Sequence, residues 1–137
     1  FCILIKEYNK NDFSNEKWAE VQDPAYFCAG LAIEHCLKGY LELRQLTYND
    51  KSHDLVGLLN SDEAQKTFFE LDNINIKQIE LLNGGYDRNG VLGDYSFRYL
   101  NKSGPMNVPQ PILLYDLVEK MFQKLNNAAL ELYIKNT

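Results

Sequence analysis

The stretch from Asp23 to Arg44 constrains the fold most strongly, because its apolar residues repeat on one helical face. Asp23 is a good N-cap residue, and Pro24 suits the first helical position, where its missing N–H costs nothing. Projected at about 100° per residue, the apolar side chains form one broad face and the polar ones a narrow opposite strip. The pattern predicts a central, heavily buried helix from Pro24 to Arg44. Its broad face holds Tyr26, Ala29, Ala32, Ile33, Cys36, Leu37, Tyr40, Leu41 and Leu43.

Four further short segments carry helical signals. A helix is predicted within residues 11–22, and Ser52 is expected to cap the apolar turn that follows it. Ser61 is expected to begin another helix, with acidic residues in its first turn. Residues 73–82 are partly alternating, but their helical neighbourhood favours a helix, which the Gly84-Gly85 pair is expected to stop.

The chain is predicted to close with a long helix from Pro111 to Lys135, whose apolar residues form a clean stripe. Between Gly84 and Pro111 glycines and prolines cluster, so a long irregular segment is expected there. No repeat or second domain is indicated. The sequence therefore predicts one all-α domain over residues 1–137, an antiparallel up-and-down bundle of four to five helices.

The composition favours an ordinary globular protein. Charged residues make up 24% of the chain and hydrophobic residues 45%, which indicates neither disorder nor a membrane protein. Residues 1–5 are apolar but lack the basic flank and cleavage site of a signal peptide, so a cytoplasmic location is expected. The net charge of −5 argues against broad, sequence-independent binding to DNA or RNA, which depends on Lys and Arg neutralising phosphates.

The cysteines and histidines predict neither a disulfide nor a metal site. Cys28 and Cys36 are separated by about 12 Å of helical rise, which is beyond the reach of a disulfide. No C-x-x-C or H-x-x-x-H spacing occurs. Reduced cysteines and no cofactor are therefore expected.

Three separated motifs occur along the chain. The first is A-x-x-A-x-E-x-x-L-K in the central helix, the second is Ser-His-Asp-Leu after the following loop, and the third is Y-x-x-R-Y in the irregular segment. The residues that carry them are Ala29, Ala32, Glu34, Leu37 and Lys38, then Ser52, His53, Asp54 and Leu55, then Tyr95, Arg98 and Tyr99. In these motifs and in their order the chain resembles the HEPN domain family of prokaryotes.

The resemblance implies a small helical bundle and a choice of functions. Many HEPN domains are metal-independent ribonucleases with an R-x(4–6)-H motif, but here eight residues separate Arg44 from His53. The S/T-H-D-L subset is often found beside a small nucleotidyltransferase and is thought to bind nucleotide, nucleic acid or that partner. The resemblance thus favours a nucleotide- or RNA-binding module of a toxin–antitoxin or defence-type system over a ribonuclease.

His53 is the sharpest candidate for a functional residue. It lies between Ser52 and Asp54 at a loop-to-helix junction, where an imidazole can stay partly exposed and donate one ring nitrogen to a carboxylate. The alternative is that it only caps the helix or bridges two loops. Arg44 either faces a cleft with His53 or pairs with the carbonyl end of its own helix.

Glu34 and Lys38 stand one helical turn apart, in the order that favours an exposed ion pair. Because Glu34 borders the apolar face, it could instead reach Arg98 or a buried tyrosine hydroxyl. Arg98, between Tyr95 and Tyr99, has neighbours of the kinds that stack bases and grip phosphates, although the same residues also pack loops onto bundles.

The sequence leaves three functions open. The first is a non-catalytic nucleotide- or RNA-binding module, with candidate site residues His53, Arg44, Arg98, Tyr95, Tyr99, Glu34, Lys38 and Asp54. The second is a metal-independent endoribonuclease in which His53 acts as acid or base and Arg98 or Arg44 steadies the phosphate. The third is a structural dimer without a ligand. A homodimer with the cleft at or near the interface is expected from surplus apolar residues, especially Phe13, Trp18, Met121 and Phe122.

Overall fold

The computed structural model describes residues 15–87 and 109–136, with side chains from residue 24 onward. Within these ranges the protein is all-α and has no strand, as the sequence predicts. The helices are α1 (Asn15–Leu43), α2 (Leu55–Asn60), α3 (Ala64–Phe68), α4 (Asn73–Tyr86) and α5 (Pro111–Lys135). Helices α2, α4 and α5 pack against α1.

Helix α1 does not begin at Pro24, so this boundary was predicted wrongly. The helix begins at Asn15, runs for 29 residues and contains Pro24 in its interior. The short helix expected within residues 11–22 is thus the first part of α1. A proline inside a helix removes one hydrogen bond and costs about 3 kcal/mol, and the packing of the long apolar face that follows it offsets this cost.

Helix α5 begins at Pro111, as predicted, and lies beside α1. The Tyr26 hydroxyl donates a hydrogen bond to the Pro109 carbonyl, and further along α1 the backbone of Gly39 faces the Leu125 side chain. Residue numbers therefore rise together along the two long helices, which run parallel, as the first and third long helices of an up-and-down order do.

Helix α4 runs antiparallel to both long helices. Its last residue, Tyr86, packs against Gly30 of α1, whereas Asn75, near its start, accepts a hydrogen bond from Lys120 of α5 at 2.7 Å. Gln78, between them, accepts from the Gln110 backbone N–H at 2.9 Å. The three longest helices therefore alternate in direction: α1 and α5 run the same way, and α4 runs the opposite way.

Gly84 and Gly85 do not stop α4 as predicted. Both are buried inside the helix, which ends at Tyr86 with Asp87 as its C-cap. Two helical glycines cost roughly 1 kcal/mol each. The extension places the fully buried Tyr86 in the core, and burial of a ring of that size offsets the cost.

The N-cap of α2 is Asp54 and not Ser52. The Asp54 carboxylate accepts from the Gly57 N–H at 3.1 Å, whereas the Ser52 hydroxyl accepts from the Asp54 N–H at 3.2 Å. Ser61 is likewise the C-cap of α2, and the next helix starts three residues later, at Ala64. Serine and aspartate are both frequent caps, so the sequence alone could not choose between them.

The core lies where α1, α2, α4 and α5 meet. Met121, expected as surplus surface for a dimer, is fully buried there, whereas Phe122 is 52% exposed. Phe13 and the side chain of Trp18 lie outside the described residues. Among the described helices none is long and apolar enough to cross a membrane. The largest fully buried side chains are Tyr26, Tyr40, Tyr86, Phe69, Ile33, Leu37, Leu41, Leu55, Leu59 and Ile79.

We predict that Gly30→Ala destabilises the fold by about 1 to 3 kcal/mol, because the new methyl group would overlap the buried ring of Tyr86. Gly39→Ala is the matched control on the same helix: its methyl group would meet only the end of the flexible Leu125 side chain, at 2.9 Å. The gain in helix propensity keeps that change below about 1 kcal/mol. Urea unfolding followed by circular dichroism measures both. Equal losses for the two variants would contradict the close packing of Tyr86 on Gly30.

Candidate functional site

A buried carboxylate, Glu34, is the centre of the most developed polar cluster in the described part of the chain. Glu34 is only 4% exposed. Its Oε1 accepts a hydrogen bond from the Tyr86 hydroxyl at 2.7 Å and lies 2.9 Å from Nδ1 of His53. Its Oε2 accepts from Nζ of Lys38 at 3.0 Å. We call Glu34, Lys38, His53 and Tyr86 the Glu34 cluster.

The surroundings keep the Glu34 carboxylate ionised. Burial alone would raise its pKa, but hydrogen bonds from His53, Tyr86 and Lys38 outweigh burial, and the pKa of Glu34 is lowered from its ordinary value. An ionised carboxylate can only accept hydrogen bonds. His53 must therefore carry a proton on Nδ1 and donate a hydrogen bond through it to Glu34.

Three different elements bring the cluster together. Glu34 and Lys38 lie one turn apart on α1, Tyr86 is the last residue of α4, and His53 lies in the loop just before α2. Lys38 also donates to the Asp50 carbonyl at 2.7 Å, so it holds the loop against α1. The loop that carries His53 is thus tied to the helix that carries its partner.

Asp54, the residue after His53, fixes the loop to α4. Beyond capping α2, the Asp54 carboxylate accepts from the Asn83 side-chain amide at 2.9 Å, and Asn83 in turn accepts from the Leu55 N–H at 2.9 Å. Asn83 belongs to α4, the helix that also supplies Tyr86. His53 is therefore held between contacts to α1 and contacts to α4.

The His53 ring reaches the surface. Its side chain is 35% exposed, while the Glu34 side chain beneath it is 5% exposed. The ring meets Tyr86 edge to face, with the ring centroids 6.4 Å apart. With Nδ1 donating to Glu34, Nε2 of the neutral ring carries a lone pair, and in the protonated ring it becomes a second donor. This arrangement allows hydrogen bonding to a ligand and also proton transfer.

Of the residues predicted from the sequence, the structure brings four together: Glu34, Lys38, His53 and Asp54. Glu34 and Lys38 were expected to form an exposed pair, but their side chains are 5% and 12% exposed. The buried side of α1 is therefore wider than its apolar residues alone and includes Glu34 and most of Lys38. The alternative that Glu34 meets a buried tyrosine hydroxyl is correct. Tyr95, Arg98 and Tyr99 lie outside the described residues.

Arg44 does not join the Glu34 cluster. It lies ten residues after Glu34 on the same chain direction, which is about 15 Å of helical rise, and it is exposed. Its guanidinium is 5.9 Å from the centre of the Tyr40 ring, beside a depression of about 540 Å³ that Asp62 also lines. The contact that the structure shows for the Arg44 side chain is thus with Tyr40, and its convergence with His53 stays a prediction.

Tyr86 is the member of the cluster that the sequence analysis missed. Gly84-Gly85 was interpreted as a helix stop, which left Tyr86 in a loop. The Y-x-x-R-Y motif placed the candidate tyrosines later in the chain, at Tyr95 and Tyr99. The available signal was Gly30, a glycine inside a predicted helix, which indicates that another group approaches the helix closely there.

The described residues contain neither an activated thiol at Cys36 nor a group of metal ligands. Cys28 and Cys36 are free thiols, and burial raises the pKa of Cys36 to about 11, so this thiol is not a nucleophile at neutral pH. Within residues 15–87 and 109–136, no three of His, Cys, Asp and Glu are grouped as metal ligands would be.

We predict that Glu34→Gln destabilises the protein by roughly 2 to 4 kcal/mol at neutral pH, because an amide cannot accept from three donors. The folded-state pKa of Glu34 is below its unfolded value, so its ionisation stabilises the fold above the ordinary glutamate pKa. That stabilisation is lost as the pH falls through the folded-state pKa. The gap in unfolding free energy between parent and variant should therefore shrink in acid.

Urea titrations at a series of pH values measure this gap. Glu80→Gln is the control, since Glu80 is an exposed glutamate outside the Glu34 cluster. Its curve should follow that of the parent chain. A gap for Glu34→Gln that stays constant down to acid pH would mean that the ionised carboxylate does not hold the cluster together.

Comparison with known proteins does not add an assignment. No protein-family model, no curated protein and no solved structure matches this chain. A function therefore has to be inferred from the contacts around Glu34 and His53.

Proposed function

We propose that this chain is a nucleotide- or RNA-binding module and that it holds its ligand at His53. The observation that supports this most is a partly exposed imidazole whose Nδ1 donates to a buried, ionised carboxylate. The ring cannot turn without leaving that carboxylate with one donor fewer, which is costly for a buried charge. Its Nε2 edge therefore keeps one direction, and such preorganisation lowers the entropic cost of binding.

The ligand expected at His53 has both hydrogen-bond donors and acceptors near the surface. The neutral ring offers a lone pair on Nε2, which suits a ribose hydroxyl or the N–H edge of a base. The protonated ring offers a donor, which suits a phosphate oxygen. Nucleotides and RNA present all of these groups. The net charge of −5 argues that a few directed contacts hold the ligand, without general attraction to phosphate.

A second candidate, a metal-independent endoribonuclease, is favoured by the same pair of residues. A carboxylate that orients an imidazole through Nδ1 is the arrangement that lets the opposite nitrogen work as a general acid or base. In this role Nε2 of His53 would take the proton of a ribose 2′-hydroxyl. Arg44 lies about 15 Å of helix away from Glu34, so a phosphate at His53 would need another cation. The binding module therefore remains our first choice.

The HEPN resemblance extends the proposal to a partner. Ser52, His53, Asp54 and Leu55 supply the S/T-H-D-L run, and the loop that carries it is held by Lys38 and Asn83. By analogy with that subset of the family, we propose a nucleotidyltransferase partner and a role in a toxin–antitoxin or defence-type system. This assignment rests on the sequence resemblance alone.

We predict that His53→Ala weakens binding of a fluorescent, mixed-sequence RNA oligonucleotide at least tenfold, because the oriented ring is lost. His35→Ala is the control: His35 is an exposed histidine next to Glu34 in sequence, and it should bind as the parent does. Fluorescence anisotropy measures both variants, with ATP as a competitor to identify a mononucleotide ligand. Equal affinities for the two variants would contradict a site at His53.

The same oligonucleotide separates the binder from the enzyme. As a binding module the parent chain should leave the RNA intact in the presence of EDTA, as judged by denaturing gel electrophoresis. Cleavage that His53→Ala abolishes and His35→Ala retains would instead establish the ribonuclease. Glu34→Gln would then lower the rate by disturbing the ring that His53 presents.

A further inference from the structure

The second half of α5 carries an exposed apolar surface that the core does not use. Phe122 is 52% exposed, Leu130 56%, Tyr133 68% and Ile134 63%. Projected at about 100° per residue, these side chains and Ala129 fall within an arc of about 140°. We call Phe122, Ala129, Leu130, Tyr133 and Ile134 the α5 apolar face.

This face is distinct from the side of α5 that packs on the protein. Leu117, Met121 and Leu125 point toward α1 and the core, and the Leu125 side chain meets Gly39. Leu132 lies on that same side and lines a depression beside Leu43 and Arg44. The α5 apolar face therefore lies on a different side of α5 from the contact with α1.

The α5 apolar face also contains no charged side chain. The other residues within its arc between Phe122 and Ile134 are Gln123 and Asn126, and the charged residues of this stretch, Lys124 and Glu131, project outside it. Depletion of charge at the centre, with polar amides among large apolar side chains, is typical of the core of a protein interface. An ordinary solvated helix face would carry Lys and Glu here.

We propose that the α5 apolar face is the contact through which two copies of this chain form a homodimer. The exposed side chains sum to on the order of 600 Å² of surface per chain, so two copies would bury about 1,200 Å², the lower end of the range for stable interfaces. The face spans about 18 Å of helix, enough for two such helices to cross or pair around a two-fold axis.

A second copy fits this face better than a charged partner does. A two-fold axis places the same residues opposite one another, so a face with no charge meets no like charge. Asn126 lies near the middle of the arc, and its amide has both a donor and an acceptor, so it can pair with the amide of its own copy. The small Ala129 beside it lets the two helices approach closely.

The position of α5 leaves room for this contact. Gly39 of α1 is level with Leu125, so α5 has ten further residues where α1 has only four. At about 1.5 Å per residue, the end of α5 projects roughly 9 Å past the end of α1. The dimer contact is independent of the ligand proposed at His53.

We predict that sedimentation equilibrium of the parent chain gives twice the monomer mass of 15.9 kDa, with a concentration dependence over about 1 to 100 µM. Ile134→Glu should weaken dimerisation at least tenfold. Ile74→Glu is the matched control, because it makes the same change at an isoleucine of similar exposure on α4, 57% against 63%. It should leave the dimer intact.

Helical content measured by circular dichroism verifies that each variant is folded. If Ile134→Glu lowers that content, Tyr133→Ser tests the same face without adding a charge, and it should also weaken the dimer. A parent chain that is monomeric up to the highest concentration, or a dimer that Ile134→Glu and Ile74→Glu affect equally, would overturn the proposal. The first result would indicate that another segment of the chain or a different protein covers this face.

Discussion

The interaction on which this structure depends most is the burial of the Glu34 carboxylate among three donors. A buried charge is tolerated only when hydrogen bonds and counter-charges replace the water it has lost. Here the donors come from α1, from the loop before α2 and from the end of α4. Satisfying one carboxylate therefore requires three parts of the chain to meet at one point. The same requirement brings an imidazole to the surface in a fixed orientation.

The Glu34 cluster affects both the stability of the fold and the orientation of His53. Replacing the whole Glu34 cluster by apolar residues of similar size would give an equally stable core, because buried ion pairs are seldom the most stabilising solution, whereas replacing Glu34 alone leaves its three donors without an acceptor. The cluster is better understood as a device for orientation. Tyr86 and Lys38 hold the carboxylate, and the carboxylate holds His53. A ring held in this way is more useful for contacting a ligand than for strengthening the core.

Helical periodicity was enough to predict the all-α class. The preference of proline for the first position of a helix was enough to predict that α5 begins at Pro111. The start of α1 could not be predicted, because Pro24 looks the same at a first helical position as it does inside a longer helix. Glu34, Lys38 and His53 were named from local motifs. Tyr86 could not be identified because its place depends on α4 continuing through two glycines, which only tertiary packing decides. The sequence could not decide between the two alternatives for Arg44, because nearness in sequence to His53 says little about distance in space.

The contact between Lys38 and the Asp50 carbonyl has a consequence for how such a chain can evolve. It clamps the loop just ahead of the imidazole, so residues 45–49 form a segment whose two ends are both secured. Within that segment Tyr48 packs on the core and donates a hydrogen bond to Glu42, whereas Thr47 is exposed. Evolution can therefore vary Thr47 freely, but an insertion that shifts Tyr48 or the Asp50 carbonyl would move the loop that presents the imidazole.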